Sequence, residues 1–188
     1  DSHGQLLFLI AETVRYTGDR GLAGRMWPHV VSAVSYLDRL REKRRTPEFE
    51  TPGKQVFYGL LPESISHEGY SAKPMHSYWD DFFGLRGLKD AVFLATFLGK
   101  TAEAASFARI RDAFAADVHA SIRLVMERHG IDYLPGCAEL GDFDATSTTI
   151  ALAPGGEQGR LPQELLENTF ERYWTEFVQR RDGKREWK

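Results

Sequence analysis

An all-α fold is predicted for this chain of 188 residues by three features. Apolar residues recur at steps of three and four in three separate segments, the spacing of one-sided amphipathic helices. Each of those segments follows a shorter stretch that is apolar on nearly all sides, as a buried helix should be. Gly18 and Gly99 sit at equivalent turns between such a pair, 99 − 18 = 81 residues apart. The predicted organisation is three antiparallel helical hairpins, spanning about 3–45, 77–129 and 144–181, within one partial domain covering 1–188.

The first hairpin opens with "GQLLFLIAETVRY", a strongly apolar helix. "TGD" then combines a glycine suited to a helix C-terminus with an aspartate suited to an N-cap, Asp19. The second helix carries its stripe at Leu22, Met26, Val30, Ala33, Leu37 and Leu40. It ends in "REKRR", read as a solvated basic run that complements the helix dipole. A long connection, 46–76, follows. Connections of this length inside a compact domain are often functional. "QVFYGLL" within it is the one strand-like stretch.

The second hairpin begins with "SYWDDFFGLRGLKDAVFLATFLG" and turns at Gly99. Its partner has a stripe at Phe107, Ile110, Phe114, Val118, Ile122 and Val125. A loop, 130–143, leads to "DATSTTIAL", with Asp144 as N-cap. The turn "APGGEQGR" then leads to a stripe at Leu166, Phe170, Tyr173 and Phe177. Turns within hairpins are short and connections between them long. The geometry this suggests is a toroid, with buried helices inside and one-sided helices outside. The long connections then gather at one end, beside the N-termini of the inner helices.

Composition narrows the function classes. The chain is 42% hydrophobic and 27% charged with net charge −3, so nucleic acid and anionic membrane are poor partners. No apolar run reaches the roughly 20 residues of a membrane span. The single cysteine, Cys137, rules out an internal disulfide and a cysteine-rich zinc site. His67, Glu68 and His76 lack the i, i+4 histidine pair of a helical metal site, so no metal and no cofactor is expected. The chain starts at Asp1 with no initiator Met or signal peptide, and reads as a piece of something longer. The compartment is not fixed by the sequence; a secreted or periplasmic parent fits the sparing use of cysteine.

The chemistry concentrates at the loop end. Asp80 and Asp81 stand in an aromatic wall of Tyr78, Trp79, Phe82 and Phe83. A capping box from Ser77 to Asp80, with Asp81 complementing the dipole, would account for them structurally. The preceding loop, however, brings Glu63, His67, Glu68 and Tyr70, and the third hairpin opens with Glu139, Asp142 and Asp144. Carboxylates accept hydrogen bonds from sugar hydroxyls, and aromatic faces stack on pyranose rings. Glycoside hydrolysis needs one protonated carboxyl and one ionised one, and an apolar wall raises a carboxyl pKa.

"TGDRGLAGRMWPHVVSAVSYL", "GLLPESISHEGY" and "SYWDDFFGLRGL" together resemble the six-hairpin glycosidases, the (α/α)6 toroids of the glucoamylase, trehalase and rhamnosidase kind. The most specific part is Gly59 to Leu88, with "GDFDATSTTIAL" in support. The resemblance implies an inverting hydrolase that binds a terminal sugar at the inner-helix tips. It implies that Trp79, Asp80 and Asp81, with Tyr70 and Asp142, bind substrate. It suggests Glu68 as general acid, with Glu63 as the alternative. Two departures stand out. Tyr78-Trp79 occupies the place where an Arg-Asp pair is common, and the family's Trp-Glu-Glu motif is absent. "DDFF" also resembles the magnesium motif of terpene cyclases, but Gly84 replaces its third acid. Three hairpins are half of a six-hairpin ring, so the remainder of the toroid is an expected partner and self-association through the open flanks an expected behaviour. Other readings stay open: a non-catalytic carbohydrate-binding toroid, a lyase using Tyr70 and His67, or a sugar phosphorylase.

Overall fold

A computed structural model describes residues 1–66 and 70–186. The chain is all-α: six helices are accompanied, among the described residues, by one small two-stranded sheet. In chain order these are α1 (Ser2–Thr17), α2 (Arg20–Glu42), β1 (Ser64–Ser66), β2 (Tyr70–Met75), α3 (Tyr78–Phe97), α4 (Thr101–His129), α5 (Ala145–Leu152) and α6 (Gln163–Arg181).

The turns are built from the residues that their sequences suggest. Gly18 ends α1 in the left-handed region at φ 64°, where a side chain would be strained, and its N–H bonds the Val14 carbonyl. Asp19 then starts α2 by accepting the Leu22 N–H at 2.8 Å. Asp144 caps α5 in the same way through Thr146 N–H. Ser77 precedes α3 with extended backbone but makes no side-chain cap, and its buried hydroxyl has no partner among the described residues. The capping box does not form, which leaves the Asp80 carboxylate to be used elsewhere.

Helix α3 is the centre of the molecule, with α1 on one side and α5 on the other. Contacts along the α1–α3 seam run in one direction. Asp1 meets Trp79, Gly4 meets Phe83 and Gly87, and Arg15 meets Asp90. The two helices are therefore parallel. Their backbones touch at Gly4 and Gly87: a Cβ on Gly4 would collide with the Phe83 carbonyl, and one on Gly87 would lie 2.6 Å from the Gly4 Cα. At the far end Arg86 donates to Asp90, Glu12 and the Pro154 carbonyl, tying α1, α3 and the turn after α5 together.

Helices α2 and α4 cover this inner row. The stripe of α4 is buried as its spacing suggests, except that Ile110 is only partly covered. On α2 the buried face is rotated by about one residue toward Ala23, Val34 and Arg41, with Leu22, Met26 and Leu40 at its edge. The basic run at its end is not a solvated face. Arg41 is buried, bonds Asp38 at 3.1 Å and reaches Asp117 on α4 at 2.7 Å. Arg45 joins the same Asp117 carboxylate. The run thus fastens α2 to α4.

One detail of the connections differs from expectation. "QVFYGLL" is not a strand; Gln55–Phe57 forms a 3-10 turn, and the strands of the connection are β1 and β2. The stripe on α6 is buried only in its first part, by Leu165, Leu166 and Thr169, whereas Tyr173, Trp174 and Phe177 are exposed.

Candidate functional site

The N-termini of α3 and α5, β1, and the loops 46–63 and 130–143 meet at one end of the helix row. Backbone pairing brings them together. Ser77 and Cys137 form an antiparallel bridge, Tyr78 N–H donates to the Gly136 carbonyl, and Ala138 N–H donates to the His76 carbonyl. The start of α3 is thereby sewn to the loop that precedes α5.

Asp80 and Asp81 point into this junction and are both buried. Asp80 accepts a hydrogen bond from Ser64 Oγ on β1 and lies 3.5 Å from the α-amino group of Asp1. Asp81 is 1% exposed, and its Oδ1 accepts the Leu61 N–H at 2.9 Å. Burial pushes the Asp81 carboxyl up to about 8. The Leu61 hydrogen bond opposes that rise and the neighbouring Asp80 charge adds to it. A carboxylic acid is thus held neutral beside an aspartate. Trp79, on the same first turn, is half-buried, donates its indole N–H to Asp1 at 3.3 Å and packs on Phe83 at a ring separation of 5.2 Å.

A second cluster adjoins the first. His76 is stacked on Phe57 with centroids 4.5 Å apart, and its Nε2 accepts from Arg44 Nε at 2.8 Å. Nδ1 therefore carries the proton and donates it to Glu139 at 2.7 Å. The same carboxylate accepts the His76 backbone N–H. The outer arm of the Arg44 guanidinium holds Glu63, whose Oε2 is also 3.5 Å from His76 Nε2. Burial works to raise the Glu63 carboxyl, but a hydrogen bond to its own backbone N–H and the charge and hydrogen bond of Arg44 outweigh it and keep Glu63 below the usual range. Glu63 is a persistent carboxylate rather than a proton donor.

Among the sequence-predicted residues, Trp79, Asp80, Asp81 and Glu63 fall at this end. Asp142 belongs to the loop sewn onto it: its backbone carbonyl accepts from Gly136 N–H, and its Oδ1 lies 3.4 Å from Cys137 Sγ. Burial, with Asp142 adding, pushes the Cys137 thiol up to about 12, which leaves it inert. Tyr70 is part of β2. Glu68, with His67, lies outside the described residues. Sequence reasoning did not single out Arg44, His76 or Glu139 as site residues. Arg44 sat in a run read as solvated, and the only signals for the other two were their places next to the inner-helix starts.

No group of three or more His, Cys, Asp or Glu side chains is arranged to hold a metal ion among the described residues. No helix is long and apolar enough to cross a membrane. Comparison with protein-family models, curated proteins and solved structures finds no match to the chain.

Proposed function

We propose that these three hairpins form the sugar-binding side of a glycoside hydrolase domain of the six-hairpin kind. The observation that carries this reading is the joint placement of Trp79, Asp80 and Glu63 where the inner-helix starts and the connecting loops meet. An aromatic face beside fixed carboxylates is the arrangement that sugar hydroxyls and ring faces require. Glu68 is proposed as the general acid. Glu63, kept ionised by Arg44, suits hydrogen-bond acceptance from a sugar hydroxyl better than the acid role. Asp81 is sealed against the Leu61 amide, so its part is to hold the 46–63 loop in position.

The open flanks fit a domain with more helices around the ring. Leu9 on the face of α1 away from α3 is 63% exposed, and Trp174 on α6 is 55% exposed. Burying such residues against further hairpins would remove apolar surface from water at roughly 25 cal/mol per Å². The proposed partners are therefore a carbohydrate substrate and the remaining hairpins of the toroid, with self-association as the outcome when these are absent.

The proposal is tested with a panel of aryl glycosides on the protein that contains all six hairpins. One member should be turned over, and Glu68→Gln should lower kcat by about 100-fold or more, the scale of general acid catalysis. Asp80→Asn should raise KM. The three hairpins alone should show no turnover, because an inverting pair needs two carboxyls about 6.5–9.5 Å apart around a water. Turnover that is untouched by Glu68→Gln and Asp80→Asn would remove these residues from the mechanism. A second reading, carbohydrate binding without hydrolysis, is favoured by the engagement of Asp80 and Asp81 in internal hydrogen bonds. It predicts sugar binding with no turnover by the complete domain.

A further inference from the structure

We propose that the cleft between α4 and the start of α6 is a separate binding site for a small organic anion with an apolar body. The cleft has a volume of about 390 Å³, within the range of small-molecule sites. It lies on the outer helices and shares no lining residue with the loop-end cluster, so it stands independently of the hydrolase reading.

Its floor is apolar, from Ile122, Met126 and Ile131 on one side and Leu161 and Leu165 on the other. The polar groups around it are specific. His119 lines the cleft, and its Nε2 is hydrogen-bonded at 2.9 Å to Glu157, which is fully buried and paired with Lys89 on α3. Burial works to raise Glu157, but His119 and Lys89 outweigh it and keep the carboxylate ionised. An ionised Glu157 fixes Nε2 as the protonated nitrogen. Nδ1 then remains without a protein partner. His119 borders the cleft. A buried carboxylate orienting a histidine at the edge of a cleft is a built arrangement rather than a surface accident.

Charge selects the ligand. Among the described residues, Arg109, Arg123 and Arg160 are the arginines whose guanidinium has no hydrogen bond, ion pair or aromatic face, and two of the three border this cleft. Unpaired acids such as Asp132 and Glu164, which also border the cleft, are common on this surface, as with Glu103, Glu127 and Glu171. Free arginines are the exception, and a guanidinium suits a carboxylate through paired N–H donors. An apolar floor with two such donors and a histidine fits a monocarboxylate bearing an aromatic or short alkyl group.

The test uses three probes of one shape on the 188-residue chain: 3-phenylpropionate, its neutral amide and its amine. Binding is followed by backbone amide shifts in the nuclear magnetic resonance spectrum. The acid should shift the amides of Ile122, Ile131 and Leu165, and the amide and amine should bind at least about tenfold more weakly. The double variant Arg123→Ala/Arg160→Ala should lose acid binding by about tenfold or more while keeping the wild-type unfolding midpoint, since both side chains are exposed. Equal binding of the three probes, undiminished acid binding by the double variant, or no shifts with any probe at about 10 mM would each overturn the proposal.

Discussion

Asp81→Asn is expected to abolish a loss of stability that the wild-type protein undergoes as pH rises from about 4 toward 8. The Asp81 carboxyl stands at about 8 in the folded chain against an ordinary value of 3.8. Between those limits the folded state holds a proton that the unfolded state releases. Raising the pH therefore favours unfolding, and the stabilisation that is complete below pH 3.8 is lost as pH passes through the folded value. The gap corresponds to a loss on the order of several kcal/mol. Asparagine keeps an oxygen for the Leu61 N–H and has no proton to lose. The variant should match the wild type near pH 4 and surpass it near pH 8, as measured by urea unfolding across the range. Asp81→Ala should instead lie about 1–3 kcal/mol below Asp81→Asn at every pH, because the Leu61 amide is left buried without a partner. A wild type whose stability is flat from pH 4 to 8 would contradict the burial argument.

Glu157→Ala should be the most damaging single change in the segment from α5 to α6. Glu157 is fully buried and is the common partner of Lys89 on α3 and His119 on α4. Lys89 also donates to the Gly155 carbonyl at 2.7 Å and the Gly156 carbonyl, so the whole turn 155–157 is clasped by one ammonium group. Removing the carboxylate strands a charge in a buried site, at a cost of about 3–5 kcal/mol. Unfolding in urea should register that loss, and amide exchange should accelerate first in α5 and α6, whose other ties to the body are few. The wild-type contribution also has a pH sense. Burial would raise Glu157, but His119 and Lys89 hold it low, so its stabilisation persists above the ordinary carboxylate range and is lost as pH falls through the folded value. Asp81 and Glu157 thus act in opposite directions, and stability should peak in mildly acid solution. A loss below about 1 kcal/mol in Glu157→Ala would mean that the turn is held by other contacts.

What could be read from the sequence was local. The stripe on α4 and the all-round apolar run of α3 are determined by residues three or four apart, and helix caps by residues adjacent in the chain. Gly18, Asp19 and Asp144 therefore behave as expected. What could not be read depends on partners far along the chain. Arg41 looked solvated because Asp117, its partner, is 76 residues away. Glu157 looked like part of a turn because Lys89 and His119, 68 and 38 residues distant, give it its role. The acid-rich character of the loop end was visible in the types of Asp80, Asp81 and Glu63. Their division of labour was not, because it follows from Ser64, Leu61 and Arg44 lying against them. Beyond Thr169 the α6 stripe is exposed at Tyr173, Trp174 and Phe177, since a stripe says that a face is apolar and not that anything covers it.

The central claim is that the end of the helix row bearing Trp79, Asp80 and Glu63 receives a sugar. The most direct measurement is backbone and indole amide mapping by nuclear magnetic resonance while the chain is titrated with a panel of monosaccharides. At least one sugar should shift the Trp79 indole N–H together with the amides of Ser64, Asp80 and Glu139, and Trp79→Ala should abolish those shifts. A panel in which every sugar leaves these resonances unmoved, or moves only residues at the opposite end such as Glu12 and Asp90, would contradict the account.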